Sequence, residues 1–232
     1  MAQRPVYIPR FTGPSLVLTR VADFQWYPGL SISQKQKSIA SLHASAREQL
    51  GVENALEISS KSSVPYGVAA SAFNLAVAVG SHPAMIVECA FQGSKVFQKG
   101  GPFTDLYTAG PRDAKRDERL RSSGRLTAFR LAGVDWAIDP QTAFYDWLYV
   151  SAMGQSRQLG DELMAFDAFT DIEFNPEKSI NCQAYSAALY VSLRRRGLLG
   201  SETLSRDAFL QLIDRRPVSN ARQQGEVQGS LF

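Results

Sequence analysis

Residues 85–99 constrain the fold more than any other stretch. Read as a helix, Glu88, Gln92 and Lys95 stand at i, i+4 and i+7. At about 3.6 residues per turn they share one narrow face. The rest of the cylinder is apolar or small: Val87, Cys89, Ala90, Phe91, Ser94, Val96 and Phe97. A helix apolar nearly all round is usually buried, so the remaining chain has to wrap it. Charges carried into a core are costly unless paired, and tend to be placed for a reason. The polar stripe reads either as a solvated Glu–Lys pair with a glutamine between them or as a site. The rest of the sequence has to choose.

There is enough chain to wrap it. The 232 residues are 44% hydrophobic and 20% charged, the balance of a globular domain with a sizeable core. A net charge of +3 leaves partner choice to local clusters rather than to the whole-molecule field. Cys89 and Cys182 form no C-x-x-C pair, and with only His43 and His82 besides they argue against a zinc site. So few cysteines point to a reducing compartment. No apolar run approaches the roughly 18–20 residues of a membrane span, and the first residues lack the apolar core of a signal peptide. We therefore expect a cytoplasmic protein that meets no membrane.

Prolines 5, 9, 14 and 28 mark residues 1–32 as extended chain laid over the domain. A helix follows from Ser33 to the stop at Gly51, with Ile39, Leu42, Ala46 and Leu50 at helical spacing. Leu56 and Ile58 give a short strand signal, and Pro65-Tyr66-Gly67 a turn. Residues 68–79 are ambiguous by periodicity. A second helix should open at Pro111. The stretch from Arg112 to Arg130 contains seven basic residues against three acidic ones, an excess suited either to a solvated face or to phosphates. Residues 126–131 and 134–138 flank Ala132-Gly133 as a hairpin. Helices are expected from Asp139-Pro140 to Gly154, over 157–166, from Ser179 to Arg196 and over 205–215. Asp171 and Glu173 lie on a short extended segment between them. The fold should be α+β and mainly helical: one domain over 1–216, with 1–55 as an N-terminal extension, 56–196 as the core, and a disordered tail over 217–232.

Several segments, in order, resemble the NADAR superfamily of YbiA-like N-glycosidases. Its Glu-x-x-(Tyr/Phe)-Gln-x-x-Lys pattern stands here as Glu88, Phe91, Gln92 and Lys95. Its Pro-Tyr-Gly turn stands as Pro65-Tyr66-Gly67, leading to Phe73-Asn74, where the asparagine follows the phenylalanine instead of preceding it. Pro111-Arg112-Asp113-Ala114-Lys115 is similar to its basic segment, and Trp147 and Glu173 fall in the expected order. The N-terminal segment and the loop to Asp105 look like the subgroup associated with DarT-type toxins. Those toxins attach ADP-ribose to guanine in DNA, and their NADAR partners remove it.

The resemblance implies an ADP-ribosylglycohydrolase acting on ADP-ribosylated DNA as an antitoxin, with a DarT-type toxin as a possible partner and no cofactor or metal. It implies cleavage of an N-glycosidic bond, whose transition state carries positive charge at the anomeric carbon. Glu88 is then the acid/base. A lysine with a depressed pKa can form a Schiff base with the opened sugar, and both Lys61 and Lys95 qualify. Gln92, Tyr66, Gly67, Phe73, Asn74 and Trp147 are read as substrate contacts, Asp105 and Glu173 as acceptors for ribose hydroxyls, and Arg112 and Lys115 as partners of phosphate. A small riboflavin-pathway N-glycoside as substrate, or a non-catalytic ADP-ribose binding module, remain the other readings.

Overall fold

Strand-forming residues at the N-terminus enter the sheet despite their prolines. In this computed structural model, which describes residues 1–177, 179–199 and 204–214, β1 (Ala2–Pro9) pairs antiparallel with β2 (Val17–Phe24) along its length. On its other side β1 meets β9 (Ala168–Thr170) only through Tyr7 and Phe169. Pro5 therefore lies where it has one neighbour, and its missing N–H costs no inner ladder bond. Parallel pairing of β3 (Ala55–Glu57) with β9 completes a four-stranded sheet in the order β2-β1-β9-β3.

Each face of that sheet has its own cover. Helix α1 (Ile32–Leu50) buries Ile39, Leu42 and Ala46 against Val6, Ala22, Phe24 and Ala168. The Ser31 hydroxyl accepts from the Gln34 amide to cap it, and Gly51 ends it at φ 66°, a left-handed position that glycine tolerates. On the other face lies α8 (Gln183–Arg195), which packs in turn on α6 (Ala143–Gln155) inside the main core. The loop joining β1 to β2 is gripped by Arg196, whose guanidinium donates to the carbonyls of Arg10, Thr12, Gly13 and Ser15.

The expected helix over 85–99 is the main correction. Residues Met85–Ile86 form β5, paired with β4 (Ala76–Val77). Helix α3 covers only Val87–Gly93, and β6 (Lys95–Phe97) begins at once. Two contacts mark the end of the helix. The Ser94 hydroxyl donates back to the Ala90 carbonyl at 2.6 Å. Gly93 lies against the Tyr107 ring so closely that a β-carbon there would be 2.6 Å from it. Alternation at 95–97 then suits pairing with β7 (Leu126–Leu131), which turns through Ala132 (φ 50°) and Gly133 (φ 76°) into β8 (Val134–Ala137). Both turn residues have positive φ, the geometry that fits a two-residue hairpin.

Other boundaries move for local reasons. Pro65-Tyr66-Gly67 is the first turn of a short helix, α2 (Pro65–Ala69), rather than a bare turn. The charged helix divides into α4 (Pro111–Arg116) and α5 (Arg119–Ser122), because the Asp117 carboxylate accepts from the Arg119 amide and guanidinium between them. A 3-10 turn (Thr104–Thr108), α7 (Arg157–Leu163) and α9 (Arg206–Asp214) complete the described elements. With three sheets the fold is mixed α+β, less dominated by helix than the sequence suggested. No described helix is long and apolar enough to cross a membrane. The expected tail over 217–232 lies outside the described residues.

Candidate functional site

Backbone hydrogen bonds fix where the site begins. The Val87 and Glu88 amides, unpaired within α3, donate to the Leu75 and Ala72 carbonyls at 2.9 Å each. That docks the first turn of α3 on residues 72–75 and sets the Glu88 side chain inside the protein, 5% exposed. Its Oε1 accepts from Gln92 Nε2 at 2.9 Å, the i, i+4 geometry expected from sequence. Gln92 is 6% exposed, and its Oε1 is buried with no hydrogen-bond partner. A buried acceptor left bare is costly, and this oxygen keeps an unmet capacity for a donor.

Two ammonium groups share this space. Lys115 reaches over from α4, with Nζ 3.8 Å from Glu88 Oε1 and 5.2 Å from the centre of the Phe73 ring. Lys95 comes from β6, not from the helix, and its Nζ lies 4.8 Å from the centre of the Phe91 ring. Burial pushes Lys95 down to about 8; the Glu88 charge opposes that shift and the Lys115 charge adds to it. Phe91 is held by stacking on Phe129 and Phe144 and by an edge contact with Tyr145. Burial, and after it the Glu88 charge, drives the Tyr145 phenol well above its usual range. The result is a dry carboxylate beside an amide and two cations, over aromatic rings. Sequence reasoning missed Tyr145, which reads as one more aromatic on a core helix.

Not every expected residue joins this group. Gly67 is buried against β3, where a β-carbon would come within 2.0 Å of the Glu57 carbonyl oxygen, so its role in view is close packing. Asn74 closes its own turn by donating to the Val68 carbonyl at 2.8 Å. Tyr66 is exposed, and the Glu162 carboxylate pushes its phenol up. Asp105 is exposed in a two-pronged ion pair with Arg119, which holds its carboxyl down. Glu173 pairs with Lys35 at 3.1 Å. Arg112 is exposed on α4. Trp147 is 7% exposed, its ring 4.9 Å from that of Trp136, and its indole donates to the Leu204 carbonyl. It works here as core and as the anchor of the segment before α9.

Lys61 is half-buried at the turn after β3, and its side chain pairs with no described carboxylate. Its amide donates to the Ser59 hydroxyl, which donates in turn to Glu57 Oε1 at 2.7 Å. Glu57 is 1% exposed, and also accepts from the Thr170 hydroxyl and the Ile172 amide. Burial raises Glu57, and burial followed by the Glu57 charge raises Asp171 to about 7. No pattern in the sequence announces this pair of buried acids, because its partners come from β3, β9 and α8. His43 meets it through Thr170 Oγ1 at 2.9 Å, and burial lowers the imidazole to about 4.

Comparison with known families finds one described as DarT1-associated NADAR antitoxin, whose model matches residues 2–223. No curated protein matches the chain.

Proposed function

The chain belongs to the family of DarT1-associated NADAR antitoxins, and from that premise we propose that it is an ADP-ribosylglycohydrolase removing ADP-ribose from guanine in DNA. The observation that carries the reading is the Glu88 cluster: a buried carboxylate hydrogen-bonded by Gln92, whose remaining acceptor has no partner. Such a carboxylate suits the positive charge that develops at an anomeric carbon. The bare Gln92 oxygen suits a ribose hydroxyl or a guanine N–H as donor.

Two routes are open to these residues. In the first, water adds to the anomeric carbon as its bond to the guanine exocyclic nitrogen breaks. Glu88 assists the proton transfers, and the nitrogen leaves with a proton. In the second, the sugar opens to an imine on that nitrogen. A lysine amine replaces the guanine amine, and water hydrolyses the new imine to free ADP-ribose and lysine. Lys95 and Lys61 are the two amines. Lys95, lowered to about 8, keeps about a tenth of its population neutral near pH 7.

The exposed face of α4 and α5 favours DNA over a small molecule. Arg112, Arg116 and Arg121 on these helices, and Arg125 just before β7, are exposed and pair with no described carboxylate, which suits a phosphate backbone. A guanine inside a duplex must leave the stack to reach a buried carboxylate. The test offers the protein a single-stranded oligonucleotide carrying ADP-ribosyl-guanine, a rigid duplex carrying the same base, and a phosphoribosyl-amine of the riboflavin type. The expected result is release of ADP-ribose, fastest from the single strand. Turnover of the phosphoribosyl-amine alone would overturn the reading. Tight ADP-ribose binding unaltered in Glu88→Gln, with no turnover by the wild type, would instead identify a binding module. Borohydride added during turnover should trap an adduct, and comparison of Lys61→Arg with Lys95→Arg assigns the lysine that bears it.

A further inference from the structure

The place of Glu88 depends on residues far from α3 in sequence. Its amide is held by the Ala72 carbonyl. On the other side of the same residue, the Ala72 amide donates to Gln183 Oε1 at 2.8 Å, and the Ser71 hydroxyl donates to that oxygen at 3.4 Å. Gln183, the first residue of α8, spends its Nε2 on Asp171 Oδ2 at 2.9 Å. Asp171 is 7% exposed, and its other oxygen accepts from the Glu173 and Phe174 amides. The chain of contacts therefore runs Asp171, Gln183, Ala72, Glu88, and crosses from the end of β9 to the start of α3 through one amide side chain. Residues 70–75 have a second tie, the Tyr149 hydroxyl on the Ala70 carbonyl at 2.7 Å, but it lies two residues away from the carbonyl that holds Glu88.

We infer that Gln183, oriented by Asp171, is a positioning residue that fixes residues 71–72 and through them the placement of the Glu88 carboxylate. Its amide suits the task because it donates and accepts at once. Asp171 Oδ2 accepts from Gln183 while Ala72 offers Gln183 only its N–H, so a side chain that only accepts or only donates satisfies one end and leaves the other bare. Shifts of about 1 Å at a catalytic group can cost on the order of a hundredfold in rate. The clamp should therefore be read in kcat rather than in ground-state binding.

The turnover part of the test rests on the function proposed above; the exchange part does not. Amide hydrogen exchange over residues 70–93, and kcat and KM on the ADP-ribosyl-guanine oligonucleotide, are compared in wild type, Gln183→Ala, Gln183→Glu and the double variant Asp171→Asn/Gln183→Glu. In Gln183→Ala the amides of Ala72 and Glu88 should exchange faster, and kcat should fall about tenfold or more with KM within about twofold. Gln183→Glu should do the same at a pH where both carboxyls are ionised, since two acceptors then face each other. The double variant restores the bridge with donor and acceptor exchanged, and should recover both slow exchange and kcat. Unchanged exchange over residues 70–93 in Gln183→Ala, or a double variant no better than Gln183→Glu, would overturn the inference. If the wild type releases no ADP-ribose, the functional reading falls while the exchange comparison still decides the clamp.

Discussion

Glu88 and Gln92 were legible as a pair because their spacing survives in the short helix, and the sequence needs nothing else to bring them together. Lys95 was not legible in the same way. It reaches the site from a strand, so its closeness to Glu88 comes from the β6–β7 pairing and not from helical phase. Lys115 was named only for its basic neighbourhood, and its contact with Glu88 comes from the packing of α4 on α3. The environment of Lys95 can be measured directly by the pH dependence of amine labelling in the folded protein. We expect a midpoint near 8, below the usual lysine value of about 10.4, because burial disfavours the charged form. Glu88→Gln should move that midpoint further down, since the carboxylate raises it, and Lys115→Met should move it up. A midpoint at the ordinary lysine value would show that the amine is solvated.

Among the elements, α1 and the β7–β8 hairpin were readable from local signals: a glycine stop and a serine start for one, though Ser31 and not Ser33 is the cap, and a two-residue turn for the other. Helix α3 was overextended because Lys95-Val96-Phe97 fits a strand and a helix equally well over three residues. What decides is the packing of Gly93 and Ser94 on Tyr107 and the pairing of residues 95–97 with β7. Gly93→Ala tests this. Its β-carbon would meet the Tyr107 ring at 2.6 Å and the Phe103 carbonyl oxygen at 3.0 Å, so a loss of about 1–3 kcal/mol in unfolding free energy is expected by denaturant titration. Gly67→Ala should cost more, because the 2.0 Å contact there is with the Glu57 carbonyl oxygen, which has no side-chain freedom to yield. Equal stability of either variant with wild type would mean that these contacts are slack.

At the scale of the whole molecule, the sheet places the buried acids beside the site, and no local sequence pattern encodes that. The Glu57 and Asp171 carboxyls lie on neighbouring strand ends, and Asp146 on α6 is raised to about 6 chiefly by burial. All three keep their protons to higher pH when folded than when unfolded. Their stabilising contribution is full below about pH 4 and is lost as pH rises through about 6 and 7. Each proton contributes a slope of up to about 1.4 kcal/mol per pH unit inside that window. The unfolding free energy of Asp171→Asn should therefore fall less steeply between pH 4 and 7 than that of the wild type; a steeper fall would reverse the sign of the argument. The central claim is that the Glu88 carboxylate cleaves a glycosidic bond. Its most direct test is the release of ADP-ribose from an ADP-ribosyl-guanine oligonucleotide by wild type and by Glu88→Gln, with both shown to be folded. The wild type should return the unmodified oligonucleotide and free ADP-ribose, and Glu88→Gln should lose a factor of about 10²–10⁴ in rate while still binding the substrate. Equal rates in the two proteins would contradict the account.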